Sequence, residues 1–312
     1  MRPAMSVVLG SASFPASLRG GAVTLGNFDG VHRGHLAVLD ALRSAARASG
    51  GPAVVYTFDP APTAVLVPER HPPRIVSLEG RVAALRDAGA DVVVVERFSQ
   101  ALAAHPATWF ADEVLGRRLG ARAVVLGWDA RFGRGREGGA HTVRARLPDV
   151  AVNELPALCD GDSPVSSSRV RARVRDGDVR GAAALLGRPH RLAGTVVHGD
   201  ARGRTIGFPT ANLLLDTELL PAHGVYAVRA RADGVEGVRP AVMNLGVRPT
   251  VDGTRLSAEV HLLGWAGDLY GAGMTVELVE RVREERRFPS LDALVAQIRE
   301  DAATAARLLE RA

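Results

Sequence analysis

The stretch GNFDGVHRGH, residues 26–35, carries turn-permitting glycines at 26 and 30, an acid at 29 and histidines at 32 and 35. The apolar run AVTL (22–25) precedes it, and the helix-patterned LAVLDALRSAARASG follows it. The stretch therefore reads as a strand end, a tight turn and a helix start. A helix N-terminus aims unpaired N–H groups outward, and α/β proteins hold phosphates there.

Working outward, the first half of the chain repeats this unit. AVTLGNFDG, AVVYTFDP, DVVVVERF, AVVLGWD and DVAVNELP read as short, continuously apolar strands. Between them lie the helical patterns GHLAVLDALRSAARA, SLEGRVAALRDAGA and PATWFADEVLGRRLGA. That alternation predicts a doubly wound parallel sheet covered on both faces, with ligands at the carboxyl ends of its strands. GNFDG, TFDPAP and GWDARFG all fall at such ends, so three segments are expected to converge on one crevice.

The pattern changes near LLGRPHRLAG (185–194). Beyond it GTVVHG, GVYAVRARADG, RPAVMNLGVRPT, SAEVHLLGW and MTVELVERVR read as consecutive strands, an antiparallel sheet or small barrel. The ending, SLDALVAQIREDAATAARLL, is an amphipathic helix with Leu291, Leu294, Val295, Ile298 and Ala302 at helical spacing. Ser290 starts it, and Asp292 suits its first turn. At 312 residues the chain accommodates two domains, expected at 1–186 and 187–312.

Composition narrows the chemistry. The apolar fraction of 46% argues for a globular chain. All 39 basic residues are arginine, so a Walker-type loop, which needs lysine, is excluded. Arginine in turn suits bidentate phosphate contacts. The lone Cys159 forbids an internal disulfide and points to a reducing, cytoplasmic setting. No apolar run reaches the about eighteen residues of a membrane span, and the N-terminus reads as a first strand rather than a leader.

His32 and His35, three apart at a helix start, face one side. Two imidazoles beside exposed N–H groups make a compact anion site, able to stabilise charge on an α-phosphate during nucleotidyl transfer. A metal site would also use paired histidines, but no third ligand stands nearby in sequence. Two structural histidines are the bland alternative. A second phosphate signal is VSSSRVRARVRDGD (165–178), in which three serines precede a helix carrying Arg169 and Arg171 in its first turn. There the cations oppose the helix dipole, a conflict a bound polyphosphate resolves. A capped basic surface helix explains the same residues without a ligand.

In the second half, GTVVHGDARGRTIGFPTANL (194–213) sets glycines at 194, 199, 203 and 207 where backbone N–H groups can approach phosphates. The PTAN segment then offers a hydroxyl and an amide two residues apart, hard oxygen donors suited to Mg²⁺ carried by ATP. A turn-rich hairpin would account for the glycines alone.

LGNFDGVHRGH followed by SSSRVR resembles the adenylyltransferase module of bacterial bifunctional riboflavin kinase/FMN adenylyltransferases. GTVVHGDARGRTIGFPTANL is similar to that family's riboflavin kinase module. The resemblance implies a nucleotidyltransferase-type parallel α/β domain followed by a β-barrel kinase domain. It implies that His32 and His35 engage ATP phosphates and that Ser167 and Arg171 grip the β- and γ-phosphates. By the same resemblance Gly26, Phe28, Asp29, Gly30, Asp59, Asp129, Arg131, Ser166 and Ser168 belong to the nucleotide site. In the kinase half Gly194, Gly199, Gly203, Gly207 and Pro209 are implied to fold over nucleotide, Thr210 and Asn212 to bind Mg²⁺, and Glu259 of SAEVHLLGW to act as general base.

Two departures stand out. The family shows a histidine after the proline of its second motif, where this chain has Ala61 in TFDPAP. Gly264 replaces a more usual aspartate, with an expected effect on the loop only. The implied activities are phosphorylation of riboflavin to FMN and adenylylation of FMN to FAD, with ATP as co-substrate and Mg²⁺ serving both. Riboflavin, FMN and ATP are the implied partners, without nucleic acid or membrane, and a homo-oligomer stays open. Ala61 motivates a rival, a working kinase beside a silent or altered transferase domain. An arginine-rich nucleic-acid binder is a second rival, opposed by the near balance of charge, +5 overall, and the scarcity of aromatics in its basic segments.

Overall fold

The computed structural model describes residues 5–199, 207–250 and 253–311, and leaves the side chains of 248–255 undescribed. The chain packs into two compact units, one of residues 1–73 and 77–166, the other of 74–76 and 167–312.

The first unit is a six-stranded sheet. Its strands are β1 (Ser6–Leu9), β2 (Ala22–Leu25), β3 (Ala53–Phe58), β4 (Val92–Glu96), β5 (Ala123–Leu126) and β6 (Ala151–Glu154), in the order β1-β4-β3-β2-β5-β6. Every pairing is parallel. Successive residues supply opposite faces. Val23, Leu25, Val54, Tyr56, Val92, Val94, Val124 and Leu126 pack on one side, while Ala22, Ala53, Val55, Val93, Ala123 and Val125 pack on the other. The central strands β2, β3, β4 and β5 are covered on both sides, which is why their runs are apolar, whereas the edge strands β1 and β6 are largely exposed.

One cover is α1 (Arg33–Ser49), whose Val38, Leu39, Leu42 and Ala46 form a buried stripe. A short α2 (Pro62–Leu66) follows β3, and α3 (Leu78–Asp87) adds Leu85 to the same side. A short α4 (Gln100–Ala104) follows β4, and on the other face lie α5 (Ala107–Trp109) with its π-helical continuation Phe110–Arg118, and α6 (Ala140–Arg146). Phe110, Val114, Leu115 and Val143 seal that core. A hairpin of β7 (Cys159–Asp160) and β8 (Ser163–Pro164) closes the unit.

In the second unit α7 (Ser167–Arg175) and α8 (Val179–Leu186) lead into a closed antiparallel barrel. Its strands are β9 (His190–Val197), β10 (Ala211–Leu215), β11 (Gly224–Ala232), β12 (Arg239–Thr250), β13 (Gly253–Leu262) and β14 (Gly273–Arg283), ordered β10-β13-β12-β11-β14-β9. β9 alternates buried and exposed residues along its length, as a barrel wall requires. Leu192, Val196, Tyr226, Val228, Met243, Val260, Val276 and Leu278 fill the interior. The strand-like patterning finds five of these strands; β10, inside the PTANL stretch, is the sixth, and it closes the barrel between β9 and β13.

The final helix α9 (Leu291–Arg311) packs outside against β11 and begins with Ser290 Oγ accepting from the Ala293 N–H. Its buried seam is Asp301, Ala305 and Leu309, whereas Leu291 is exposed and Leu294 and Ile298 are half-buried. Apolar periodicity misplaces the seam because its first member is a charge: buried Asp301 takes a bidentate fork from Arg283 at 2.8–3.0 Å and a hydrogen bond from Gln297.

Candidate active sites

In the first unit β1 opens the chain at one edge; from β2 the chain runs outward to β3 and β4, which pairs with β1, then returns to place β5 on the other side of β2. The switch point lies between β2 and β5. Their carboxyl ends feed Gly26 and Gly127, and β3, on the far flank of β2, ends next to Asp59. The three expected segments thus leave three adjacent strands, β3-β2-β5, at one end of the sheet.

The β2 loop is tightly formed. Phe28 and Val31 both hold positive φ, at 49° and 41°, and both side chains are buried. Non-glycine residues adopt that region rarely, so the loop is held there by its packing. Gly26 has its own reason: a Cβ there would lie 3.2 Å from the Phe28 ring.

His32 caps α1, its Nδ1 accepting the His35 N–H at 3.3 Å. The two rings stack with centroids 3.7 Å apart, and Phe28 lies 5.0 Å from His35. His32 is buried, while His35 keeps an open edge with its Nδ1 sealed from solvent and without a hydrogen-bond partner among the described residues. Burial, and secondarily the charge His32 can carry, hold the His35 pKa well below the usual imidazole value. His35 is therefore neutral at neutral pH. A sealed Nδ1 without an acceptor costs least as a bare lone pair, which leaves the proton on Nε2. His32 reaches the same tautomer because its Nδ1 already accepts. The pair thus presents Nε2–H donors at a helix N-terminus.

Gly34, between the histidines, is closely packed: a Cβ would stand 3.2 Å from the His32 ring and 3.3 Å from the Val165 carbonyl, so a neighbour would have to give way. The chain entering the serine segment therefore runs against the first turn of α1. Ser166 follows directly in the same unit; Ser167, Ser168 and Arg171 belong to α7 and are described with the second. Asp129 and Arg131 are exposed in the loop after β5, where Arg136, at φ 59°, donates to the Asp129 carbonyl. Ala61, at the family's histidine position, is the N-cap residue of α2 and offers no side-chain cap.

Sequence reasoning missed Arg81. Buried on α3, it donates from Nη1 to the Asn27 carbonyl at 2.8 Å and from Nη2 to the Phe58 carbonyl at 2.9 Å. Its only signal was a charge inside a helical pattern.

In the barrel, β10, β13 and β12 align Asn212, Glu259 and Asn244 in direct cross-strand register. Directly opposed residues share a face. This row sets the expected metal amide beside the expected base and adds Asn244, which the sequence reading left within a strand. Ser257 donates to Glu259 Oε1 at 3.1 Å. Gly199 is glycine because a Cβ would collide with the Asn212 amide. His261, also unread, uses Nδ1–H to hold the Pro209 carbonyl at 2.8 Å, next to Thr210. Thr210 itself lines a pocket with Val260, Leu262, Trp265, Leu269 and Tyr270, and His198 stacks on Tyr270 at 3.7 Å.

Gly194 does not sit in the expected loop. It is buried within β9, paired to both neighbouring strands, and a Cβ would meet the Leu214 carbonyl at 2.2 Å. It lies in a strand rather than a loop, and its bare Cα allows the close approach of β10. Gly207 adopts positive φ, 82°, and Gly264 sits at φ 67° in a turn. Gly203 lies outside the described residues.

An anion-handling helix start at a parallel-sheet switch point and an oxygen-rich row on a separate barrel make this a nucleotide-using transferase with two centres. An FAD synthetase family model matches residues 14–169 and a riboflavin kinase family model residues 186–309. The bifunctional riboflavin kinase/FMN adenylyltransferase of Escherichia coli K12 is 41% identical over 292 residues, 93% of each chain. That of Bacillus subtilis is 36% identical over 91% of each. The crystal structure of a macrolide-efflux protein from Streptococcus pneumoniae superposes with a TM-score of 0.89 at 32% identity, covering 97% of this chain and 99% of that one. Among the described residues no helix is long and apolar enough to cross a membrane. The chain belongs to the bifunctional riboflavin kinase/FMN adenylyltransferase family.

Proposed function

We propose that the barrel phosphorylates riboflavin to FMN on the Thr210–Asn212–Glu259 face, and that the parallel-sheet unit adenylylates FMN to FAD at the His32–His35 helix start. In the first step Glu259 takes the proton of the ribityl 5′-hydroxyl as that oxygen bonds to the γ-phosphorus and ADP leaves. In the second, an FMN phosphate oxygen bonds to the ATP α-phosphorus and pyrophosphate departs. The imidazole Nε2–H groups and the helix N–H groups stabilise the charge that builds, with no covalent intermediate on the protein. Ser166, Ser167, Ser168 and Arg171 serve the β- and γ-phosphates, and Gly26, Phe28, Asp29, Gly30, Asp59, Asp129 and Arg131 shape the nucleotide crevice. Gly199, Gly207 and Pro209 carry backbone toward the kinase nucleotide, and the Trp265–Tyr270 wall beside Thr210 takes a flat ring.

The donor set suits magnesium. A threonine hydroxyl and an asparagine amide oxygen are hard, neutral ligands, which fit a cation that arrives with most of its coordination filled by phosphate and water. Among the described residues no cluster of three or more His, Cys, Asp or Glu would hold a metal tightly by itself. Mg²⁺ would neutralise the triphosphate charge; Thr210 and Asn212 would orient it.

The proposed functional division is at 186/187, supported by the start of the riboflavin kinase match at residue 186; the FAD synthetase match ends earlier, at 169. The reducing cytoplasmic setting is likewise proposed, supported by the single exposed thiol of Cys159.

The observation that carries the reading is the cross-strand row Asn212–Glu259–Asn244 beside Thr210, together with the stacked histidine pair on the other unit. Product analysis with riboflavin, ATP and Mg²⁺ tests it: FMN and FAD should both appear. Glu259→Gln should cut FMN formation about 10²–10⁴-fold while FAD formation from supplied FMN persists. FMN alone from the unaltered chain would leave only the kinase, and neither product would refute both halves.

A further inference from the structure

Arg81 lies in the first unit on α3, outside every motif that the family resemblance uses. Its side chain is 7% exposed, a costly position for a cation unless its donors are satisfied. The guanidinium spans two loops. Nη1 donates to the carbonyl of Asn27, the residue between Gly26 and the strained Phe28; Nη2 donates to the carbonyl of Phe58, the last residue of β3. The same Nη2 stands 3.7 Å from Asp59 Oδ1. Thr57 Oγ1 converges on the Asn27 carbonyl as well, at 3.2 Å.

A planar fork with fixed spacing thus sets the β2 loop, which leads to both histidines, against the β3 loop, which carries Asp59. An apolar side chain could fill the volume but could not hold two carbonyls in register, and a lysine ammonium has no fork to bridge them. Adenylyl transfer depends on placing an FMN phosphate oxygen against the ATP α-phosphorus, and misplacement by an ångström costs about two orders of magnitude.

We propose that Arg81 is a positioning residue for adenylyl transfer: it acts through the Asn27 and Phe58 carbonyls to hold the two strand-end loops in the relative placement the reaction requires. This rests on the reading of those loops as the adenylyl-transfer site.

The test uses the full chain, with Arg81→Lys, Arg81→Met and Arg81→Ala. Adenylyl transfer from supplied FMN is resolved into kcat and KM, riboflavin phosphorylation is assayed on the same samples, and thermal unfolding is followed. All three variants should lose about 10- to 100-fold in adenylyl-transfer kcat with kinase activity retained. Guanidinium ion at non-denaturing concentration should restore part of the Arg81→Ala loss and none of the Arg81→Met loss, since the methionine side chain fills the space. Unchanged adenylyl-transfer kcat in Arg81→Lys and Arg81→Met would overturn the proposal. So would a loss that follows the unfolded fraction and gains nothing from guanidinium. An unaltered chain that makes FMN but no FAD would overturn the reading of the site itself, and this inference with it.

Discussion

Gly34→Ala separates the chemistry of the histidine pair from its stability. An alanine in the first turn of α1 gains helix propensity, worth about 1 kcal/mol at an interior position and less here. The new methyl would stand 3.2 Å from His32 Cε1 and Nδ1 and 3.3 Å from the Val165 carbonyl. The ring must move by a few tenths of an ångström, yet it is buried and stacked on His35 at 3.7 Å. Its capping contact to the His35 N–H, already at 3.3 Å, would break, at a cost of about 1 kcal/mol. The two terms nearly cancel, so the unfolding midpoint of the first unit should shift by no more than about 3 °C. Adenylyl transfer should fall about 10–100-fold, because both Nε2–H donors are displaced. The assay is FAD formation from FMN and ATP beside a thermal melt, with FMN formation from riboflavin as the internal control. Full FAD synthesis in Gly34→Ala would refute the claim that the stacked pair is positioned by this close packing.

His35 should remain neutral, with its proton on Nε2, well below pH 6.5, seen by ¹⁵N NMR of the imidazoles; a titration near about 6.5 would contradict the burial argument. The sign for stability follows. The unfolded chain takes up the His35 proton near about 6.5 and the folded chain only at lower pH, so this residue's contribution to unfolding free energy should decline as pH falls through that window, and His35→Asn should remove that decline. In the barrel, Asp301→Asn leaves Arg283 without its carboxylate and should cost about 3 kcal/mol, read as a lowered urea midpoint of the kinase unit.

Much of the architecture was legible in the sequence because burial sets a period. Strands covered on both faces need continuous apolar runs, as in residues 92–95, and barrel strands must alternate, as in His190–Val197. The histidine pair was legible because the contacts that make it are three residues apart, within one helical turn. β10 was not, because Ala211–Leu215 carries the motif that draws attention as a ligand loop while also forming the strand that closes the barrel. The strand position of Gly194 was hidden for a related reason. Sequence shows that a glycine is present, but not whether it is needed for a positive φ, as at Gly207, or for the approach of a neighbouring backbone.

The amino-acid order by itself determined the alternation of elements, the two kinds of sheet, the all-arginine basic chemistry and the local turn that sets His32 and His35 on one face. Folding decided the strand order that creates the β2/β5 switch point, the register that aligns Asn212 with Glu259 and Asn244, and the grip of Arg81 on a carbonyl 54 residues away. The division follows from range. Periodicity and capping are properties of neighbours along the chain, whereas register, strand order and long-range hydrogen bonds exist only once distant segments have been brought together to bury their apolar faces.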